Sequence, residues 1–396
     1  MPSKGPEIPL EVMPEDQIPY MHWGIINRHN YSPEEPIPLK RWDPLASAPI
    51  ELYDEAEGRV VELSRMRGHF SYVSVVRGAR PAGGDPFREI ELGNDFAIPV
   101  TDGEIRRDNP FSSAPRRWRL EGRASTIINR FPAMARVIEE DLLPELERRA
   151  SALGGRVARG VCLVTFPRDY IFTLEAAKPS TVAEILASLK EAIRYTWEEA
   201  EARGFKLIPT YTFFNLGRAA GGSLPRLHAQ TYIDLTQDGH GRTMEMVLIS
   251  FLRQKDKGRC LLCESDHGGR FIYENDHFVL WATGSPRRNY HLRFSPKRHV
   301  EDITQLGREE LLSLGELLVR VSIALSAEGV DPNRNILIYQ RPRGYDSYFH
   351  VFGEIVPFEP LGGMELLDDS RVCRLSPETV ASRLRASPAW EIDLGG

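Results

Sequence analysis

The sequence predicts an α+β protein made of two similar halves that follow an extended N-terminal arm. An order of strand, helix and strand occurs twice, over about residues 160–235 and again over about residues 292–356. Each predicted helix carries apolar residues on one face, as expected for a helix that packs on a sheet. The first 50 residues are rich in proline and polar residues, which predicts an arm that packs on another surface, such as a second subunit.

Composition places the chain among globular proteins and excludes several kinds of partner. Its 396 residues are 41% hydrophobic and 27% charged, with a net charge of −6, which allows two or three domains with a sizeable core. The acidic excess argues against nucleic-acid binding, which normally needs a basic surface. No apolar run approaches the ~20 residues of a membrane helix, and no signal peptide is evident. We therefore expect a cytoplasmic protein with no membrane partner.

The elements of the first half follow from local patterns. Residues 50–122 alternate short apolar runs with Gly and Pro turns, which indicates strands and loops. Residues 136–153 predict a helix and residues 160–166 a buried strand. Residues 181–184, Thr-Val-Ala-Glu, form a capping-box pattern that predicts the start of a helix ending at Gly204. Its apolar face comprises Val182, Ile185, Leu186, Leu189, Ile193 and Trp197.

The second half repeats this order. A helix is predicted from about Arg308 to Gly329, followed by strands over residues 335–339 and 348–356. The apolar face of that helix comprises Leu311, Leu314, Leu318, Val321 and Leu325.

A glycine-rich loop in the first half lies between two predicted strands and ends on a histidine and a glutamine. Tyr211 and Phe213 suit a half-buried strand, and His228 and Gln230 directly precede a second short strand over residues 231–235. Glycine lets the backbone approach a ligand without an intervening side chain. Such a loop can hold a phosphate group against an imidazole. The glycines of the loop are Gly217, Gly221 and Gly222.

The segment from Phe214 to Gln230 resembles the signature F-x-N-x-G-x-x-x-G-x-S-x-P-H-x-H-x-Q of a known family. That family is the galactose-1-phosphate uridylyltransferase branch of the histidine-triad superfamily, and dinucleoside-polyphosphate phosphorylases carry a close relative of the motif. The resemblance implies that each half is an antiparallel sheet with one main helix. The matching positions are Asn215, Gly217, Ser223, Pro225, His228 and Gln230.

The resemblance also implies roles for individual residues. His228 would be the nucleophile that becomes nucleotidylated, and Gln230 would donate to a phosphate oxygen. Arg226 stands where many family members have a zinc-binding histidine. Residues 125–132 resemble the family's N-x-F-P element, although a strand ending in an asparagine turn is the alternative. The expected substrate contacts are Asn129, Asn215, Gly221, Gly222, Ser223 and Arg226.

Aligning the two halves divides these features between them. Residues 167–170 align with residues 296–299, and residues 226–228 align with residues 350–352. Tyr170 precedes Arg226 by 56 residues and His299 precedes His350 by 51, with one predicted helix inside each interval. Phe352 replaces the nucleophile in the second half. The first half is therefore expected to be catalytic and free of zinc, and the second to be structural.

A C-x-x-C pair suggests a metal or redox site rather than a disulfide, because the chain shows no export signal. Combined with the two aligned histidines, the resemblance implies one structural Zn²⁺ per chain, with four-coordinate, closed ligation. The alternative is a pair of core cysteines with unrelated histidines, and His267 and His277 would be replacement ligands if one were misassigned. The expected ligands are Cys260, Cys263, His299 and His350.

The predicted function is transfer of a nucleoside monophosphate between a nucleotide sugar and a sugar phosphate, through a nucleotidyl-histidine. One alternative is a phosphorylase that cleaves a dinucleoside polyphosphate or nucleotide sugar with inorganic phosphate. Another is a nucleotide-binding module without catalysis. The arm suggests a homodimer.

The C-terminal segment is expected to complete the substrate site. Residues 363–365, Gly-Met-Glu, resemble the family's hexose-binding G-Y-E element, with Met364 in place of the tyrosine. The predicted regions are an arm and strand-rich extension over 1–122, a first half over 123–240, a second half over 241–360 and the C-terminal segment over 361–396.

Overall fold

The largest of three sheets in the described residues is antiparallel and organises the protein. The computed structural model describes residues 24–54, 59–79, 100–101, 104–105, 124–237, 241–243, 245–247, 249–250, 258, 260–344, 348–368 and 370–395. The first 23 residues of the predicted arm, and residues 106–123 of the extension, lie outside this range. The strands of the described part are β1 (Ile25–Ile26), β2 (Leu39–Asp54), β3 (Arg59–Val73), β4 (Val100–Thr101), β5 (Glu104–Ile105), β6 (Ala124–Ile128), β7 (Val137–Ile138), β8 (Gly155–Val157), β9 (Gly160–Pro167), β10 (Thr210–Leu216), β11 (Ala229–Asp234), β12 (Phe271–Glu274), β13 (Phe278–Ala282), β14 (Leu292–Pro296), β15 (Arg334–Tyr339) and β16 (Phe352–Pro357).

The order of the strands repeats the order of the sequence halves. In the described part, an eleven-stranded sheet runs β12-β13-β14-β16-β15-β10-β11-β9-β6-β4-β5. The first half contributes the order β6-β9-β11-β10 and the second contributes β13-β14-β16-β15, which is the same arrangement. The halves join through antiparallel pairing of β10 with β15, where Phe214 lies opposite Ile336. The predicted fold class, two fused half-domains each with an antiparallel sheet, is confirmed. The domain boundaries stay a prediction.

Two long helices cover one face of this sheet. The α-helices of the described part are α1 (Leu143–Ala152), α2 (Pro179–Ala202), α3 (Leu261–Glu264), α4 (Arg308–Ala327), α5 (Gly363–Asp368) and α6 (Pro377–Arg385). Every apolar residue predicted for the buried faces of α2 and α4 is buried. Full burial of one such side chain stabilises the fold by about 1.5–3 kcal/mol. The core therefore lies between the helices and the sheet.

The two helices also pack closely on each other. A Cβ atom at Gly315 of α4 would lie 2.4 Å from the carbonyl oxygen of Pro179, at the start of α2. The Trp197 indole of α2 donates to the Thr210 hydroxyl of β10 at 2.8 Å. The helices therefore join the halves on the same side of the molecule and attach α2 to the central strand.

Three predicted element boundaries differ from the structure. The predicted capping box is wrong, because Thr181 is buried inside α2, which begins at Pro179 after the N-cap Lys178. The predicted helix over 136–153 is shorter, since residues 137–138 form β7 and α1 spans 143–152. The strand predicted over 348–356 begins only at Phe352, because the preceding residues turn toward a cluster of cysteines and histidines.

An N-terminal hairpin is anchored to the far end of β11. It comprises β2 and β3, so that β2 occupies residues for which the sequence predicts part of an arm. The Lys40 ammonium of β2 lies 2.9 Å from an Asp234 carboxylate oxygen, and both side chains are fully buried. The Tyr72 hydroxyl of β3 donates to the same carboxylate. These contacts fix the end of β11 opposite to the end where His228 lies.

No helix in the part of the chain that the structure describes is long and apolar enough to cross a membrane.

Candidate active site and candidate metal centre

His228 directly precedes β11 and is buried, with 3% of its surface exposed. Its Nδ1 lies 2.7 Å from the carbonyl oxygen of Arg226. A carbonyl can only accept a hydrogen bond, so Nδ1 carries the proton and Nε2 carries the lone pair. The Gln230 amide nitrogen lies 3.3 Å from this Nε2, on the same face of the strand two residues further on. The tautomer is therefore the one that an imidazole nucleophile requires.

The glycine loop between β10 and β11 is tight. Gly217 and Gly221 have φ values of +82° and +89°, a region that L side chains rarely adopt. The Gly222 amide donates to the Gly217 carbonyl at 2.9 Å. A Cβ atom at Gly222 would lie 2.7 Å from the Asn215 carbonyl oxygen. The loop therefore needs glycine for its backbone shape as well as for access.

Two asparagines of the second half hold this loop. Asn335 on β15 donates from Nδ2 to the Asn215 side-chain oxygen at 2.8 Å and to the Ala220 carbonyl at 2.9 Å. The Asn333 side-chain oxygen accepts from the Ala219 amide at 3.0 Å. Neither residue was predicted from the sequence. Only the pairing of β10 with β15 would indicate that they contact the loop, and the order of elements along the chain does not specify that pairing.

The remaining predicted substrate contacts lie in different environments. Ser223 is exposed in the glycine loop. The Asn129 side-chain oxygen accepts from the Phe131 amide at 2.9 Å, which is the local asparagine turn that was the alternative interpretation. The substrate contacts assigned to these residues, and to Asn215, Gly221, Gly222 and Arg226, stay predictions.

Arg226 is buried, with 1% of its surface exposed. Its Nη2 donates to the carbonyl oxygens of Pro167 at 2.7 Å and Arg168 at 2.6 Å. The guanidinium carbon lies 5.2 Å from the ring centre of Tyr170 and 5.4 Å from that of Phe166. Carbonyl oxygens and aromatic faces therefore surround this cation.

The structure brings the four predicted metal ligands together. The ligand atoms of Cys260, Cys263, His299 and His350 all lie within 4.8 Å of one another. The Nδ1 atom of His350 lies 3.4 Å from each cysteine sulfur, and that of His299 lies 3.5 Å from Cys263. Tetrahedral bonds of about 2.3 Å to sulfur and about 2.0 Å to nitrogen would place these atoms about 3.5 Å apart. The four side chains thus fit a tetrahedral divalent metal.

The histidines of this cluster are set as neutral ligands. Burial lowers the pKa of His350 to about 4, with the neighbouring His299 acting in the same direction. The His350 Nε2 lies 3.0 Å from the Pro296 carbonyl, which leaves Nδ1 with the lone pair for a metal. Burial also lowers the pKa of His299. Two thiolates with two neutral imidazoles are a donor set typical of structural zinc.

The alternative ligands lie elsewhere. His267 stacks on Trp281, with ring centres 3.9 Å apart, and is not part of the four-residue cluster. His277 is also outside the cluster. Cys162 is buried in β9, and burial raises the pKa of its thiol to about 11, in keeping with a core residue. The cysteine pair and its two histidines are therefore the candidate metal centre.

The second half has apolar and ionic groups where the first half has its histidine and glutamine. Phe352 stacks on Tyr339, with ring centres 4.9 Å apart. Glu354, two residues later, is fully buried and lies 2.7 Å from an Arg293 nitrogen. Burial alone would raise the pKa of Glu354, but His291 and the nearby guanidiniums outweigh it and hold this pKa below its usual range. This face of the second half carries no imidazole on β16.

Comparisons with known proteins agree with this geometry. The chain is 26% identical over 244 residues to the galactose-1-phosphate uridylyltransferase of Thermotoga maritima, covering 59% of this chain and 72% of the relative. A solved uridylyltransferase matches with a TM-score of 0.60 and 21% identity, covering 90% of this chain and 99% of that chain. An ADP-glucose phosphorylase from Arabidopsis thaliana, with bound ADP-glucose, matches with a TM-score of 0.58 and 21% identity, covering 86% and 99%. No family model matches the chain.

The fold is similar to that of solved uridylyltransferase-like proteins, and the His–Gln pair lies together at its central sheet. Among such proteins, the chain resembles the galactose-1-phosphate uridylyltransferase-like branch in both sequence and fold. The resemblance recognised in the sequence is therefore confirmed.

Proposed function

We propose that the protein transfers a nucleoside monophosphate between a nucleotide sugar and a sugar phosphate, with His228 as the nucleophile. The observation that carries this proposal is the hydrogen bond from His228 Nδ1 to the Arg226 carbonyl, at 2.7 Å. It leaves the Nε2 lone pair beside the amide of Gln230. A buried imidazole held in this tautomer, next to a glycine loop, suits attack on a phosphorus atom.

The reaction would proceed in two displacements. His228 Nε2 attacks the α-phosphorus of the donor, the bond from that phosphorus to the bridging oxygen breaks, and the sugar phosphate leaves with the electron pair. A phosphate oxygen of the acceptor then attacks the same phosphorus, the N–P bond breaks, and the imidazole lone pair is restored. Gln230 would donate to a non-bridging oxygen in both steps, where negative charge accumulates.

The loop residues would bind the donor phosphates. The exposed Ser223 hydroxyl and the backbone at Gly221 and Gly222, where no side chain intervenes, would lie against the α- and β-phosphates. The amides of these two glycines hold the shape of the loop, because they donate to the Arg218 and Gly217 carbonyls. Asn215 would reach the phosphate and Asn129 the nucleoside. Arg226 is enclosed by protein, so its contribution to binding would act through the backbone that it holds.

The C-terminal segment, which would contact the acceptor, supports a phosphorylase as a second candidate function. In the C-terminal segment, the carboxylate of Glu365 pairs with Arg288 and with Arg371, while Met364 is 54% exposed. A carboxylate held by two guanidiniums is less available to sugar hydroxyls. This favours keeping a phosphorylase, which uses inorganic phosphate through the same intermediate, as the alternative. Both would act on a nucleotide sugar, and the phosphorylase also on a dinucleoside polyphosphate.

The cysteine and histidine cluster would hold one structural Zn²⁺. Four protein ligands leave no open position for water, so the metal would cross-link the α3 region to the ends of β14 and β16 and take no part in transfer. The division into a catalytic first half and a structural second half, homodimer formation and a cytoplasmic location belong to the same proposal.

Intact-mass spectrometry tests the mechanism. The protein would be incubated separately with UDP-glucose, ADP-glucose, a GDP-sugar and diadenosine tetraphosphate, alongside the His228→Ala variant. We expect the mass of one nucleoside monophosphate on the wild type with the preferred donor, and none on the variant. Adding hexose 1-phosphate or inorganic phosphate to the isolated adduct then identifies the acceptor, because only the true acceptor removes the label quickly.

Two results would change the proposal. Nucleotide binding without an adduct from any donor would favour the non-catalytic binding module. An adduct that persists in His228→Ala would assign the nucleophile to another residue.

A further inference from the structure

Equivalent backbone carbonyls in the two halves are contacted by different kinds of side chain. In the second half, the His350 ring lies 3.0 Å from the Pro296 carbonyl, at the end of β14. In the first half, the Arg226 guanidinium lies 2.7 Å from the Pro167 carbonyl, at the end of β9. These are matching sites, because β9 and β14 occupy the same place in the two strand orders. The arginine thus makes the backbone contact of a metal-ligand histidine without offering a lone pair.

The neighbouring positions also correspond. His299 and His350 have ring centres 4.8 Å apart in the metal cluster. Their first-half counterparts are Tyr170 and Arg226, and the guanidinium carbon lies 5.2 Å from the tyrosine ring centre. A cation over an aromatic face has therefore replaced two imidazoles around a metal. Such a contact is worth about 0.5–2 kcal/mol, depending on how far it is desolvated.

We infer that Arg226 and Tyr170 form a metal-free clamp that positions His228 for nucleotidyl transfer. This inference rests on the proposed function, since it assigns the part that holds the nucleophile. Both residues are positioning residues and do not touch the reacting atoms.

The clamp acts on the peptide that sets the tautomer of the nucleophile. The Arg226 carbonyl accepts from His228 Nδ1 at 2.7 Å. The Arg226 side chain is held by the carbonyls of Pro167 and Arg168. The next amide, of Leu227, donates to the Ile171 carbonyl at 2.7 Å. The peptide that orients the imidazole is thus tied to the segment after β9 on both sides.

The clamp differs from a metal site because a chelator cannot remove it. A metal leaves when a chelator competes for it, whereas a guanidinium buried among carbonyls and rings cannot be removed. The nucleophile would thus be positioned without any dependence on metal supply, while the metal centre of the second half stabilises only its own surroundings.

Single-turnover kinetics on the full chain tests the clamp. The variants are Arg226→Met, which removes the donors but keeps a long side chain, Arg226→Lys, which keeps the charge, and Tyr170→Phe and Tyr170→Leu. Each is measured for the first-order rate of adduct formation at saturating donor, and for donor Kd. A matched control is Arg343→Met, because the Arg343 guanidinium also lies over an aromatic ring, that of Trp197, at 5.8 Å.

We expect Arg226→Met to slow adduct formation by on the order of 10- to 100-fold, because small misplacements of reacting groups have such effects. Donor Kd should change by no more than about threefold, since the loop that binds phosphate is held separately. Arg226→Lys should recover part of the rate. Tyr170→Phe should match the wild type and Tyr170→Leu should be slow, because only the first keeps an aromatic face.

The outcomes separate this inference from the proposed function. Wild-type protein that forms no adduct would reject the function itself. A normal adduct rate in folded Arg226→Met, or equal rates for Tyr170→Phe and Tyr170→Leu, would reject the clamp and leave the function standing. A loss confined to donor Kd would assign Arg226 to substrate binding instead. If Arg226→Met does not fold, Arg226→Lys and the tyrosine pair decide.

Discussion

Asn335 of the second half donates a hydrogen bond of 2.8 Å to the side chain of Asn215 in the first half. The two residues lie on β15 and β10, opposite each other in the sheet. The same Asn335 amide group also donates to Ala220 in the glycine loop. The second half thus shapes the glycine loop of the first half.

Replacing Asn335 by alanine should weaken donor binding. The change removes two partly buried hydrogen bonds, each worth about 1 kcal/mol. We expect kcat/KM for the donor to fall by on the order of tenfold, mainly through KM, because under the proposed function the loop binds phosphate and does not react. Steady-state kinetics with the donor identified by mass spectrometry would measure this. Asn275→Ala is the matched control, since Asn275 donates to the Ser313 carbonyl at 2.7 Å, outside the site. An unchanged KM in Asn335→Ala would show that the loop keeps its shape alone.

Replacing Gly222 by alanine should displace the loop. The new methyl group would lie 2.7 Å from the Asn215 carbonyl and 2.8 Å from that of Gly217, and neither backbone atom can move freely. We expect donor Kd to rise by more than tenfold, while the melting temperature changes little because the core is not involved. Isothermal calorimetry with the His228→Ala background would measure binding without turnover. Gly78→Ala is the control, because a Cβ there meets no atom within 4 Å. Normal binding by Gly222→Ala would mean that the phosphates do not lie against this loop.

Metal analysis should find one zinc per chain. Cys263→Ser should lose the metal, because hydroxyl is a poor substitute for thiolate, and the melting temperature should fall as the cross-link is lost. Elemental analysis of dialysed protein, with calorimetric melting, would measure both. Cys373→Ser should keep the metal, since the Cys373 thiol contacts the Pro286 carbonyl and lies outside the cluster. Retention of zinc by Cys263→Ser would remove this residue from the ligand set.

A buried carboxylate at the start of α4 should make stability depend on acid pH. Glu310 accepts from the Gly307 amide at 2.7 Å and from Arg298, and the arginine is the main reason that the pKa of Glu310 is lowered from 4.5. A lowered pKa stabilises the folded state above the unfolded pKa, and this contribution is lost as the pH falls through the folded value. Glu310→Gln should therefore cost about 1 kcal/mol near neutral pH, as for other capping contacts. That difference should shrink below pH 4.5, as urea unfolding at several pH values would show. A cost that is constant with pH would contradict the assignment.

The sequence predicts much of this architecture because the chain repeats itself. Helices α2 and α4 and their buried faces follow from apolar spacing. The four residues of the cysteine and histidine cluster follow from the family resemblance together with the alignment of the halves. The backbone conformation at His350 could not be derived from the strand pattern. The apolar residues on either side of it suggest a strand, but the strand begins only at Phe352 and His350 lies in the cysteine and histidine cluster.

The sequence did not predict which residues far apart in the chain form hydrogen bonds with each other. The contacts of Asn335 with the loop span more than 100 residues, and they depend on which edge strands of the two halves pair. The capping box at Thr181 failed for a related reason: Pro179 can begin a helix by itself, and the packing of α2 on the sheet buries the threonine. At this helix start, tertiary packing therefore outweighs the local capping preference of the sequence.

The pairing of β10 with β15 limits which substitutions the chain can tolerate. A first half cut away from its neighbour would expose β10 as an edge, with a row of unsatisfied backbone groups next to its glycine loop. In the intact chain β15 covers this edge. Substitutions along β15 would therefore disturb the first half as well as the second.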